Sequence, residues 1–161
     1  MPHTRPDARG TRREFSIVSA PADLPTLRIA YKDGDQKHPS SYKRALAAAE
    51  PGSALAVTGT WGDFLLPRSE TPVLMVAAGI GVTPFVSQLR QLQLTEQPRD
   101  IVLVYVASDS SELAFRDELA ATGARVIVFT RDEPANLPTH WTWAQGCLLY
   151  TSDAADEGLG V

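Results

Sequence analysis

Cysteine is almost missing: a single thiol, Cys147, stands in 161 residues. One thiol closes no disulfide within the chain and cannot supply an iron–sulfur cluster or a multi-cysteine zinc site. Histidine is nearly as scarce, and His3, His38 and His140 lack metal-ligand spacing, so they read as surface or loop residues. No apolar run approaches the roughly 20 residues that cross a bilayer, and the first residues carry no secretory signal pattern. Basic charge is not in excess either. Fifteen Lys and Arg face nineteen Asp and Glu, a net charge of −4 that argues against nucleic acid as the main partner. What is present is ordinary for a soluble globular chain, 43% hydrophobic and 21% charged, with no internal repeat.

The last stretch, Cys147–Val161, breaks the composition of everything before it and resembles the translation of a sequencing-library transposon adapter. It is expected to be a non-native tail, with the biological sequence running only to about Gly146. Setting it aside removes the one cysteine and the acids Asp153, Asp156 and Glu157, which brings the net charge to about −1. By pattern alone, Cys147–Thr151 would also pass for a terminal strand.

Two grammars follow one another along the rest. Met1–Arg12 reads as loop, Glu14–Ala20 and Thr26–Lys32 as strands, and Asp33-Gly34-Asp35 as a turn. Behind Pro39, Ser40 and Ser41 begin a helix over Tyr42–Glu50 that Pro51-Gly52 stops. Ala54–Thr58 and Trp61–Leu66 are two further short strands by pattern. From Thr71 onward, continuous apolar runs at Val73–Ala77, Ile101–Ala107 and Arg125–Thr130 alternate with helical patterns at Thr83–Leu94 and Ser111–Thr122, the latter closed by Gly123. Unbroken apolar strands between helices predict a parallel sheet covered on both faces. The change of grammar sets a domain boundary near Pro67–Thr71.

The strongest chemical signal is Ala77-Ala78-Gly79-Ile80-Gly81-Val82-Thr83-Pro84, directly after the first buried run. Gly79 and Gly81 let a ligand approach the backbone, the free N–H groups of the helix start attract phosphate, and Thr83 is expected to cap the helix with Pro84 in its first turn. The plainer reading is a tight strand-to-helix turn. Pro84 stands where a third glycine would complete the usual dinucleotide fingerprint, which points to another family. A second signal is Arg13-Glu14-Phe15-Ser16, which together with Ser40-Ser41 offers a guanidinium, an aromatic face and hydroxyls for a planar cofactor and its phosphate.

In order, R-E-F-S, S-S-Y-K, G-D-F-L-L-P and A-A-G-I-G-V-T-P resemble the ferredoxin–NADP reductase superfamily over nearly all of Asp7–Gly146. The resemblance implies part of an antiparallel flavin-binding β-barrel over residues 1–68. A partial doubly wound parallel-sheet NAD(P)H-binding domain follows over residues 69–146, then the tail over 147–161. It implies Arg13 near the flavin phosphate or ribityl chain, Phe15 against the isoalloxazine, and Ser16 hydrogen-bonded to flavin N5. Ser40 and Ser41 would bind the pyrophosphate, and Gly79, Gly81 and Thr83 would line the path of the nicotinamide nucleotide. Thr130 and Arg131 align with a Ser/Thr-Arg pair used for an adenosine 2′-phosphate, although such an arginine reads equally as a solvated loop charge, and Asp109 with Glu112 would repel a phosphate. NADH and NADPH both stay open, and FAD is favoured over FMN by resemblance alone.

The implied reaction is hydride transfer from nicotinamide C4 to flavin N5, with electrons passed on to an acceptor protein or an attached redox domain. Competing readings are a non-catalytic flavin- or nucleotide-binding relay or sensor subunit, and a piece without activity of its own, since family strands are expected before Arg13 and after Gly146. The expected location is cytoplasmic, or at the inner face of a membrane through a further domain.

Overall fold

A computed structural model of the chain describes residues 11–32 and 40–145. His3, His38, Pro39, the turn at Asp33-Gly34-Asp35 and the tail Cys147–Val161 lie outside the described residues. Backbone packing separates two compact units, Met1–Phe15 with Tyr31–Phe64 and Ser16–Ala30 with Leu65–Val161. The partial antiparallel barrel expected over residues 1–68 does not form among the described residues, and Ser16–Ala30 packs with the later unit.

In the first unit, helix α1 spans Ser41–Ala47, shorter than the expected Tyr42–Glu50. Ser40 is its N-cap and accepts a hydrogen bond from the Lys43 N–H at 3.4 Å, while the Ala48 N–H closes the last turn on the Arg44 and Leu46 carbonyls. The expected strand Ala54–Thr58 is exposed and enters no ladder among the described residues, and neither does the expected strand Trp61–Leu66. A period-two pattern makes a strand only when a neighbouring backbone accepts its hydrogen bonds.

The second unit is built on a parallel sheet of β1 (Val73–Ala78), β2 (Ile101–Val106), β3 (Arg125–Thr130) and β4 (Trp141–Gln145), in that order. Helix α2 (Thr83–Leu94) joins β1 to β2, and a short helix α3 (Arg116–Ala121) joins β2 to β3. Register aligns Met75 with Leu103 and Leu103 with Val126, then Ala77 with Tyr105 and Tyr105 with Val128. These six are buried against Val82, Phe85, Val86 and Leu89 around α2 and Leu119 of α3, so both helices cover one face. On the opposite face Leu74 is 66% and Val76 56% exposed, with Val102, Val104, Ile127 and Phe129 half-buried.

The expectation of a sheet covered twice, doubly wound, is therefore not met within the described residues. Each crossover has one preferred hand, so strands added steadily in one direction place every helix on the same side; covering the other face requires the strand order to reverse. Three local differences accompany this. The expected helix Ser111–Thr122 is broken into a 3-10 turn at Ser110–Glu112 and α3, because Phe115 adopts a left-handed backbone (φ 59°) and Leu113 turns into the core. Thr83 is the first residue of α2 and not its cap; Val82 holds that position without a side-chain hydrogen bond. Finally β4 was not expected, since only residues 131–140, with no helix, separate it from β3.

Ser16–Ala30 lies against the two helices and contributes Val18, 1% exposed, to the core. Of the expected strands Glu14–Ala20 and Thr26–Lys32, what forms is a single antiparallel bridge between Ile17 and Ile29. Side chains fasten the segment instead. Arg90 of α2 grips the Asp23 carboxylate with two bonds of 2.8 Å, and Arg28 reaches Glu118 of α3 at 3.2 and 2.6 Å. Ser87 donates to the Ser19 carbonyl at 2.7 Å, and Gln91 accepts the Ala22 N–H at 2.9 Å.

Candidate nucleotide site

The glycine turn sits where β1 ends. Ala78 is still extended, then Gly79–Val82 forms one 3-10 turn that feeds α2 directly. Gly79 has φ +50°, a left-handed conformation that strains any residue with a Cβ. Gly81 lacks that constraint, and a Cβ built at either position meets nothing within 4 Å. The space over the turn is thus open to a ligand. No acidic side chain occupies the first turn of α2, so the positive end of its dipole is not neutralised from within. Thr83 is buried and Pro84 lacks an N–H to offer.

The second and third loops follow at the same edge, since Ala78 pairs with Val106 and the Ala107 N–H bonds the Phe129 carbonyl at 3.0 Å. Both the backbone N–H and the Nε of Arg131 donate to the Ser108 carbonyl at 3.2 Å, and its terminal nitrogen meets Asp109 at 3.0 Å. Asp132 accepts the Ser110 N–H at 2.8 Å and also its hydroxyl; these hydrogen bonds hold the Asp132 carboxyl below the usual carboxylate range. Thr130 is fully buried, donating to the Asp132 carbonyl at 2.7 Å and accepting the Trp143 indole N–H at 3.0 Å. So Gly79, Gly81, Thr83, Thr130 and Arg131 share one edge of the sheet, with Thr130 beneath the loop and Arg131 on its surface, 72% exposed. Asp132, Ser110 and Trp143, which fix that loop, were not singled out from the sequence; each is an ordinary residue type whose partner lies far along the chain. Ser16 is exposed in the same unit.

The first unit gathers Arg13, Phe15 and the start of α1. The Arg13 guanidinium lies 5.6 Å from the Tyr42 ring centre, and the Phe15 ring is 6.0 Å from Tyr42 and 6.2 Å from Tyr31. Tyr31 and Tyr42 therefore complete an aromatic cluster that sequence reasoning assigned to Phe15 alone. Ser40 caps α1 and Ser41 is buried. A cleft of about 510 Å³ in the second unit lies at the other end of the strands, between Leu92, Arg99, Ile101 and Arg125. Its arginines are engaged, Arg125 with Asp100 and Arg99 with the Pro67 carbonyl, and it is remote from the glycine turn.

In an open parallel sheet, ligands bind beyond the carboxyl ends of the strands, and a glycine turn running into an acid-free helix start suits a phosphate there. Fold and turn together define a nucleotide-binding α/β domain. Residues 75–136 match the family described as oxidoreductase NAD-binding domain. The chain is 31% identical over 150 residues to an NADPH oxidoreductase of Mycobacterium tuberculosis, covering 90% of this chain and 37% of that protein. It is 34% identical over 111 residues to ferredoxin–NADP reductase B of Sorangium cellulosum, covering 68% and 44%. The fold is similar to the FAD/NAD-binding domain of a nitric oxide dioxygenase from Vibrio cholerae, with a TM-score of 0.65 and 22% identity over 84% of this chain and 58% of that one. The chain belongs to the ferredoxin–NADP reductase-like family of FAD/NAD-binding oxidoreductases and contains their NAD(P)H-binding region. It spans less than half the length of these two curated relatives. Among the described residues no helix is long and apolar enough to cross a membrane.

Proposed function

We propose that the protein is the nicotinamide-nucleotide-binding part, joined to part of the flavin-binding side, of an NAD(P)H-dependent flavin oxidoreductase that passes electrons to an acceptor protein or an attached redox domain. The observation that carries this is the Gly79–Val82 turn opening an acid-free α2 at the carboxyl edge of the sheet. Gly79 and Gly81 admit the pyrophosphate to backbone N–H groups, and the start of α2 balances its charge. Residues 130–132, held down by Thr130 and Trp143, form the adenosine side.

The residues of the first unit fit FAD. The cluster of Phe15, Tyr31 and Tyr42 offers an aromatic wall for a planar ring, and Arg13 a cation for its phosphate. The Ser40 hydroxyl accepts from Lys43 and keeps its own proton to donate to the pyrophosphate, with Ser41 following it. Ser16 is the proposed partner of flavin N5. A bound FAD would supply a hydride acceptor for the nicotinamide and a store from which electrons could pass on singly or in pairs. Domain limits of 1–68 and 69–146, with a non-native stretch from 147, belong to the same proposal.

Titration of the whole chain with ADP-ribose, followed by calorimetry, tests the nucleotide part. Saturable binding is expected, weakened at least tenfold by Gly81→Val, whose side chain would stand in the phosphate path. Absence of binding by the wild-type chain would refute it.

A further inference from the structure

The two loops flanking the proposed adenosine side carry an arrangement that bears on which coenzyme the site takes, an inference that rests on the nucleotide reading above. In α/β nucleotide domains, an acid at the end of the second strand receives a ribose 2′-hydroxyl, whereas a nearby arginine accommodates a 2′-phosphate. Here both groups are present and they are bound to each other. Asp109, just after β2, holds the Arg131 terminal nitrogen at 3.0 Å, and the Arg131 Nε and N–H are both committed to the Ser108 carbonyl. Asp132, a charged carboxylate already bonded to Ser110, and Glu133 follow immediately, so the surroundings of the guanidinium are net negative.

We propose that Asp109 is a specificity-determining residue that withholds Arg131 from a 2′-phosphate, so that the site takes NADH in preference to NADPH. A dianionic phosphate arriving at this edge meets a neutralised pair with further carboxylates beside it and gains little attraction. A ribose hydroxyl carries no charge and is not discriminated against. Arg131 is 72% and Asp109 45% exposed, so solvent screens the pair and the expected discrimination is modest, about two- to fivefold.

The test compares binding of 5′-AMP and 2′,5′-ADP to the whole chain by calorimetry, reading the ratio of the two affinities so that any general loss in a variant cancels. Wild type is expected to favour 5′-AMP about two- to fivefold. Asp109→Asn keeps the side-chain shape, removes its charge, and is expected to shift the ratio about two- to fivefold toward 2′,5′-ADP. Arg131→Ala added to Asp109→Asn should return the ratio to the wild-type side, and the shift should shrink as salt is raised. Preference of the wild-type chain for 2′,5′-ADP, or an unmoved ratio in Asp109→Asn, would overturn the assignment while leaving the nucleotide site standing. If wild type binds neither compound, nor ADP-ribose, the nucleotide reading itself falls, and this inference with it.

Discussion

Two glycines in one turn have different duties. Gly79 is required by the backbone, because its φ of +50° is a conformation that a Cβ disfavours, while Gly81 is under no such demand and faces open space. Gly79→Ala should therefore cost about 1 kcal/mol of stability. Gly81→Ala should leave the urea midpoint nearly unchanged and show its effect in nucleotide affinity alone. Equal destabilisation by the two substitutions would contradict this division. The same scale shows why Thr130 and Arg131, adjacent in sequence, part company in space. The threonine is buried and bonded on both sides of its hydroxyl, and the arginine is left on the surface against Asp109. Sequence alone could pair them as a motif, but side-chain direction alternates along a strand, and only the fold says which one faces out.

Among elements, the segment Ser16–Ala30 is the clearest departure from expectation. Its alternating pattern suggests strands, yet it forms one bridge and is fastened to α2 and α3 by ion pairs and hydrogen bonds. Asp23 is central to this. Hydrogen bonds from Arg90 and then from the Ala20 N–H lower its carboxyl from 3.8 to about 2. A depressed carboxyl contributes stability above its unfolded value and loses it as pH falls through the folded one. The clamp should hold unchanged above about pH 4 and release as pH falls toward 2. Amide exchange at Ala20 reports it directly: protection should fall in that window, and in Asp23→Asn it should already be low at neutral pH. Protection that persists in Asp23→Asn would show that Asp23 does not hold the segment. At the same scale α2 and β3 have the expected limits, Thr83–Leu94 and Arg125–Thr130, because length, period and flanking turns agree there. The helix expected over Ser111–Thr122 fails at Phe115, whose left-handed backbone no local propensity announces.

On the scale of the molecule, the parallel sheet is two-faced. Met75 and Val76 are neighbours in β1, but one is 2% exposed and the other 56%. Met75→Ala should cost about 2–5 kcal/mol, as for a buried side chain removed from a packed core. Leu74→Thr and Val76→Thr should each change stability by no more than about 0.5 kcal/mol and improve solubility. Denaturant unfolding of the whole chain separates these outcomes, and a large loss at Val76 would mean that the outer face is covered after all.

The sequence by itself determined the class of the later unit. Apolar runs of strand length, a glycine turn after the first of them, and a helix of the right period fall in the order that makes a parallel α/β sheet with a glycine turn at its carboxyl edge. These are local signals, set by backbone sterics and hydrophobic spacing, so they survive without knowledge of neighbours. Only the tertiary structure decided that β4 joins the sheet, that α2 and α3 lie on the same face of it, and that Asp109 and Arg131 meet. Those facts depend on pairing between residues far apart in the chain, and on the handedness of connections that add each strand on the same side. A linear pattern carries no record of either.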